Sequence, residues 1–177
     1  MMILNVSEAK ARAGEPVSFS FASDAESVGA LSDTFSFEGE VLVKGTITYT
    51  GIAFRLEGSI SCTKSFDCDR CLEHTIQQQE LDFCENFKQG AEPEPSGEQS
   101  EDVNYFDGDT VDILDLVRDN MLAAQPLNNI CNADCRGLCL KCGANLNHGD
   151  CGCDRTVIDP RLAALQQLLK QNNSSIE

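Results

Sequence analysis

The sequence predicts an α+β protein, with a curled antiparallel sheet in the N-terminal half and two helices plus a zinc-binding, cysteine-rich loop in the C-terminal half. Three observations lead there. Apolar and polar residues alternate through much of residues 17–60, the period of half-buried strands. Beyond residue 110 the apolar spacing changes to three and four, the period of helices. Between the two helical stretches, six of the ten cysteines crowd into residues 131–153.

Residues 1–89 read as strands. Val17, Phe19 and Phe21 alternate with serines, Phe35 and Phe37 follow, and Val41, Val43, Ile47 and Tyr49 continue the period. Thr50-Gly51 marks a turn, and Ile52, Phe54, Leu56 and Ile60 form the return strand. Gly45 and Gly58 interrupt the two runs at similar distances from that turn, which suggests a bulge or a bend. The return strand leads into Cys68-Asp69-Arg70-Cys71, a tight turn. Residues 72–87 look extended again, with Ile76, Leu81 and Phe83 as candidates for burial.

Residues 89–104 change character. Pro, Gly, Ser and Glu dominate, and such a segment buries too little apolar surface to offset its ordering entropy. The sequence therefore divides into a sheet unit with a C-x-x-C turn (1–88), an acidic flexible loop (89–104), and a unit of helix, cysteine-rich zinc loop and C-terminal helix (105–177). Asp109 or Thr110 can cap a helix that begins near Val111, presents Ile113, Leu114, Val117 and Met121 on one face, and stops at Pro126. Asp159-Pro160 opens the second helix, with Ile158, Leu162, Leu165 and Leu169 as its stripe, read as packing on the protein's own sheet.

The cysteines carry the chemistry. Cys139-x-x-Cys142-Gly143 and Cys151-x-Cys153 have the spacing of a four-thiolate zinc site, in which each short pair supplies two ligands. Gly143 lets the chain turn round the metal, because it tolerates positive φ. A closed four-thiolate site leaves no position for water, so the zinc is expected to be structural. Cys68, Cys71, Cys131 and Cys135 form a second candidate set, bridging the sheet and the C-terminal unit; the alternative is that Cys68 and Cys71 are ordinary buried or reactive thiols, or ligands in a different combination. Cys62 and Cys84 stand alone in strand contexts and are expected to be small core residues.

Composition limits the partners. The formal charge is −16, and residues 80–119 carry thirteen acids against two bases. That field repels a phosphate backbone; it reads first as a solvated surface and second as a face for a basic protein. The N-terminus lacks a basic stretch followed by a long apolar one, and no apolar run approaches membrane length, so a cytoplasmic chain without membrane contact is expected. A reducing compartment favours metal over disulfides. No Ser-His-Asp ordering, phosphate-cradling loop or His-x-x-x-His pair is present, which predicts no enzyme and no small-molecule substrate. His74 and His148 make little catalytic case; His148 could replace a cysteine ligand, but a place on the loop surface is the simpler reading. Arg136, Lys141, Arg155 and Arg161 could form a small basic patch, but pairing with Asp134, Asp150, Asp154 and Asp159 is the simpler reading.

The order of these motifs resembles a known family. Cys68-x-Arg70-Cys71-Leu72 is followed by an acidic gap, Tyr105-Phe106-Asp107-Gly108, a helix, a proline, and the run from Cys131 through Arg136-Gly137-Leu138-Cys139 to Asn145-Leu146-Asn147. Asp159-Pro160-Arg161-Leu162 lies beyond. From about Val41 to Lys170 this resembles the YceD family, the large ribosomal RNA subunit accumulation proteins of bacteria and plastids. The resemblance implies a part in accumulation of large-subunit ribosomal RNA and in ribosome assembly, without an established enzymatic activity. With the acidic charge, it points to basic ribosomal or assembly proteins of the large subunit as partners. Two rivals stay open: a zinc module that binds RNA directly through its basic residues, and a thiol redox protein using Cys68 and Cys71. The redox reading is disfavoured because strand follows strand at that turn, with no helix N-terminus to depress a thiol pKa.

Overall fold

A computed structural model of the protein describes residues 2–90 and 103–154. The chain falls into two units, Met1–Cys131 and Asn132–Glu177. The fold is α+β, with its sheet in the N-terminal half and its cysteine cluster toward the C-terminus. The acidic residues 91–102 and the predicted helix from Asp159-Pro160 lie outside the described residues.

The first unit is built on a five-stranded sheet. Its strands are β2 (Val17–Asp24), β3 (Phe35–Tyr49), β4 (Phe54–Asp67), β5 (His74–Gln89) and β6 (Val103–Phe106), paired in that order. The first four are antiparallel, and β6 adds to β5 in parallel. A separate two-stranded pair joins β1 (Ile3–Asn5) to β7 (Thr110–Asp112). Among the described residues, three helices accompany the strands: α1 (Ser7–Ala11), α2 (Ala25–Val28) and α3 (Leu114–Ala123). The first two interrupt residues that the alternation alone reads as strand. Asp24 starts α2 by accepting the Glu26 N–H at 3.1 Å.

The helix near residue 111 forms later than its apolar spacing suggests. Thr110 to Asp112 are used as β7, so the helix opens at Leu114, and the Asp112 carboxylate takes the Leu114 N–H at 3.0 Å. Asp109 and Thr110 therefore do not cap it. Its predicted face is largely correct: Ile113, Val117 and Met121 are buried, and Leu114 packs at the margin of the core.

Strand parity decides which side chains reach that core. Phe19, Val41, Val43, Ile47, Phe54, Leu56, Ile60, Phe83 and Phe87 are buried together with residues of α2 and α3. Each such side chain contributes about 1.5–3 kcal/mol on burial. On β5 the inward positions are odd-numbered, so Ile76 is exposed although Phe83 is buried and Leu81 half-buried. Ile52 is exposed because it sits in the β3–β4 turn, not on the return strand. Gly45 and Gly58 face each other in register, and the irregularity in β3 lies instead between Glu38 and Leu42. A Cβ on Gly58 would run into the Lys44 carbonyl oxygen, and one on Gly45 into the Glu57 carbonyl and the Phe19 ring. The glycine pair thus allows two backbones and a phenyl ring to meet closely.

Candidate metal centres

The β4–β5 hairpin ends in the C-x-x-C turn. Cys68 N–H donates to the Glu73 carbonyl at 3.0 Å, and Leu72 N–H closes the turn onto the Cys68 carbonyl at 2.8 Å. Leu72 takes φ 59°, the left-handed region that leucine normally avoids. The turn is set so firmly that it holds this conformation, which costs on the order of 1–3 kcal/mol.

A third thiol reaches this turn from sixty residues away. Cys131 N–H donates to the Cys68 sulfur at 3.4 Å, and the Cys131 and Cys71 sulfurs are 3.7 Å apart. A tetrahedron of thiolates at about 2.3 Å from zinc has edges of about 3.8 Å. The spacing therefore fits a metal. Burial raises the Cys68 pKa, but N–H donors of Cys131, Cys71 and Arg70 and the Cys71 thiol outweigh it and bring the group down to about 6. A thiol set up to ionise beside other thiols is suited to a cation.

The approach of Cys131 is held by a polar clamp. Asp69 N–H donates to the Asn129 carbonyl at 2.8 Å, and Asn129 N–H donates to Asp69 Oδ2 at 2.6 Å. The Asn129 side-chain oxygen accepts from Lys64 Nζ at 2.6 Å. Lys64 is only 1% exposed and lies 4.5 Å from the Phe35 ring centre and 5.0 Å from that of Phe66. Burial, opposed by the charges of Asp69 and Cys62, holds its pKa below the usual lysine range. The signal for Lys64 was present: it shares parity with Leu56, Ile60, Cys62 and Phe66, so it is a cation on the inward stripe of a strand. Nothing in the pattern marks Asn129.

The second unit contains a complete four-thiol group. The sulfurs of Cys139, Cys142, Cys151 and Cys153 all lie within 4.8 Å of one another and could hold a metal ion. Leu138 bridges Asn145, Gly143 N–H donates to the Cys139 carbonyl at 2.8 Å, and Cys139 N–H donates to the Ala144 carbonyl at 2.8 Å. Gly143 has φ 73°, as the turn requires. The N–H groups of Cys142 and Lys141, with the Cys151 thiol, bring Cys139 down to about 6. Hydrogen bonds with Cys142 and Cys151 push Cys153 up to about 12. Crowding thus drives two neighbouring thiols apart, one toward ionisation and the other away from it.

Cys135 belongs to this unit and is buried; its sulfur accepts from Asn147 Nδ2 at 3.4 Å. Asn147 Oδ1 also takes the Arg136 N–H at 2.7 Å, tying the start of the segment to its middle. Of the two lone cysteines, Cys62 is buried as expected, whereas Cys84 is exposed because its position on β5 is out of phase with Phe83. None of the ten cysteines forms a disulfide. His74 bridges Asp67 at 3.0 Å and Ser65 at 3.1 Å beside the first turn, and His148 is exposed. Arg136 and Lys141 are also exposed, and Arg155 and Arg161 lie outside the described residues.

The fold and its thiol groups define a small α+β protein with sites suited to metal in both units. The family model of the large ribosomal RNA subunit accumulation protein YceD matches residues 56–169, and the chain belongs to that family. A chloroplastic large ribosomal RNA subunit accumulation protein YCED homolog 1 of Arabidopsis thaliana is 39% identical over 61 residues, which are 34% of this chain and 19% of the relative. The Zea mays protein of the same name is 28% identical over 134 residues, covering 60% of this chain and 46% of that relative. An uncharacterized protein of Mycobacterium tuberculosis is 24% identical over 119 residues, covering 67% of this chain and 57% of its own. The chain thus spans between a fifth and rather more than half of these relatives. No solved structure matches it. No helix among the described residues is long and apolar enough to cross a membrane.

Proposed function

We propose that this chain is a non-enzymatic factor that supports accumulation of large-subunit ribosomal RNA and ribosome assembly, acting mainly through basic proteins of the large subunit. Its family membership carries the reading: the match over residues 56–169 contains all eight candidate ligands, and the curated plant relatives are named large ribosomal RNA subunit accumulation proteins. Structural zinc is the metal assigned to the thiols, because four thiolates in a reducing compartment suit zinc. Cys139, Cys142, Cys151 and Cys153 form one set. Cys68, Cys71 and Cys131 form the other, with Cys135, four residues further on, as the fourth ligand. Four thiolates close the coordination sphere and leave no position for a reacting water. The role is therefore one of shape, and the cytoplasm is the compartment assigned, since it keeps such thiols reduced.

The protein-contact part rests on charge. Glu80, Asp82, Asp107, Asp109, Asp112, Asp115 and Asp119 are exposed, and the chain as a whole carries −16. A basic protein meets this field favourably, whereas on bare RNA the chain has few cations with which to displace condensed counterions. Tagged protein recovered from cells tests the reading. It should bring down a large-subunit protein or precursor particle, and the association should survive nuclease better than it survives salt. Tight binding to naked ribosomal RNA, independent of protein, would favour the RNA-binding zinc module, with Arg136, Lys141, Arg155 and Arg161 as the residues to replace.

A further inference from the structure

We propose that Lys64 is a positioning residue for the metal centre at the C-x-x-C turn, acting through Asn129 to deliver Cys131. The proposal rests on the reading that Cys68, Cys71 and Cys131 hold a metal. Its observation is a continuous line of contacts. Lys64 Nζ holds the Asn129 side chain, and Asn129 exchanges two hydrogen bonds with Asp69. Asp69 directly follows Cys68, and Asn129 precedes Cys131 by two residues. The clamp therefore joins the two chain segments that must bring their sulfurs together.

The need for such a device follows from topology. Cys68 and Cys71 sit on a rigid hairpin, but Cys131 lies beyond the end of α3 on a stretch with no regular element. A ligand on a loose segment pays ordering entropy each time it binds, and prior positioning removes that cost. Asp69 engages the main-chain atoms of Asn129 and Lys64 its side-chain oxygen, so together they fix both the backbone path into Cys131 and the Asn129 rotamer.

Stability alone gives little reason for this arrangement. Lys64 stands on an inward stripe where its neighbours are Cys62 and Phe66, and a buried charge replaced together with its partner by apolar residues commonly costs no stability. An ammonium also cannot ligate a metal, since it has no free lone pair. What Lys64 offers is a donor at the end of a long side chain, reaching from the strand to a loop that no strand pairing holds.

The test uses the full chain loaded with zinc and challenged with a chromophoric chelator, with Cys71→Ser assigning the phase that belongs to this centre. Lys64→Met should speed release from this centre by roughly 10- to 100-fold, the usual effect of losing a residue behind a ligand. Release from the Cys139 group should not change. Because Lys64→Met leaves Asn129 unpaired, the double variant Lys64→Met/Asn129→Leu is made as well. It should recover the thermal midpoint of the metal-free protein while metal still leaves fast. Should Lys64→Met fail to fold, Asp69→Ala opens the clamp from its exposed end and should give the same acceleration. Unchanged release in these variants, or retention that returns with stability in the double variant, overturns the positioning role and leaves the metal reading intact. A wild-type chain that binds no zinc at the turn overturns both.

Discussion

The sulfurs of Cys71 and Cys131 lie 3.7 Å apart although sixty residues separate them in the chain. The β4–β5 hairpin presents the first, and the segment after α3 presents the second. Such a meeting of distant thiols can end in metal binding or in a disulfide. We expect Cys131→Ala to lower zinc content by one ion per chain and to leave the Cys139 group loaded. Elemental analysis of protein purified under reducing conditions checks this, and an unchanged zinc count would exclude Cys131 as a ligand.

The glycine pair at the centre of the sheet makes a stability prediction. Gly58→Ala places a methyl group against the Lys44 carbonyl and the Gly45 Cα, where the backbones cannot separate without disturbing the register. The cost should be about 1–3 kcal/mol, typical of overpacking. Urea unfolding measures it, and a loss well under 1 kcal/mol would mean that the strands part easily.

The two cysteines outside the thiol groups should differ in reactivity. Cys84 is exposed on the outer face of β5, with its sulfur 3.6 Å from Glu57. Cys62 is buried, and burial, only partly opposed by Lys64, raises its pKa. The raised pKa keeps Cys62 a thiol at neutral pH, and its thiolate fraction grows only as pH rises through that elevated value. Alkylation of folded, zinc-loaded protein should therefore modify Cys84 first, and Cys62 should stay unmodified until unfolding. Peptide mass mapping after a short exposure reads this out; early modification of Cys62 would show that the core opens there.

How far the sequence could be read depended on the range of the interaction. Alternation of Phe19, Val43, Leu56 and Phe83 revealed the sheet because side-chain parity is local. The same parity, followed one strand further, would have placed Ile76 and Cys84 outside and flagged Lys64 as an inward cation. The Cys139 group was legible as a cluster because its cysteines come from two short pairs in one segment. Long-range pairing was not legible. Residues 110–112 fit a helix start by local spacing, but β1 recruits them as a strand. β6 joins β5 in parallel, and no local pattern announces a parallel partner. Asn129 looks like an ordinary loop residue until Asp69 and Lys64 are seen to grip it.

Removing metal should separate the two units in stability. The described part of the second unit buries little that is apolar: Leu146, with the sulfur-bearing Cys135 and Cys139. Leu140 is almost wholly exposed. Among the described residues that burial is small for a segment of this length, so its order is expected to depend on metal held by the thiol group. Binding of structural zinc commonly supplies about 10–16 kcal/mol of apparent free energy, which becomes folding free energy when the metal-free segment is unfolded. The first unit is different, since Val117, Met121 and the inward residues of β3, β4 and β5 build a core without metal. A strong chelator under reducing conditions, or Cys142→Ser, should therefore collapse the amide dispersion of Gly137–Cys153 while the signals of β3 and β4 persist. Acid should act in the same direction, because protons compete with metal for the thiolates. Two-dimensional NMR of isotopically labelled protein decides the matter residue by residue. Amides of Gly137–Cys153 that stay in place after chelation would show that the segment folds without metal.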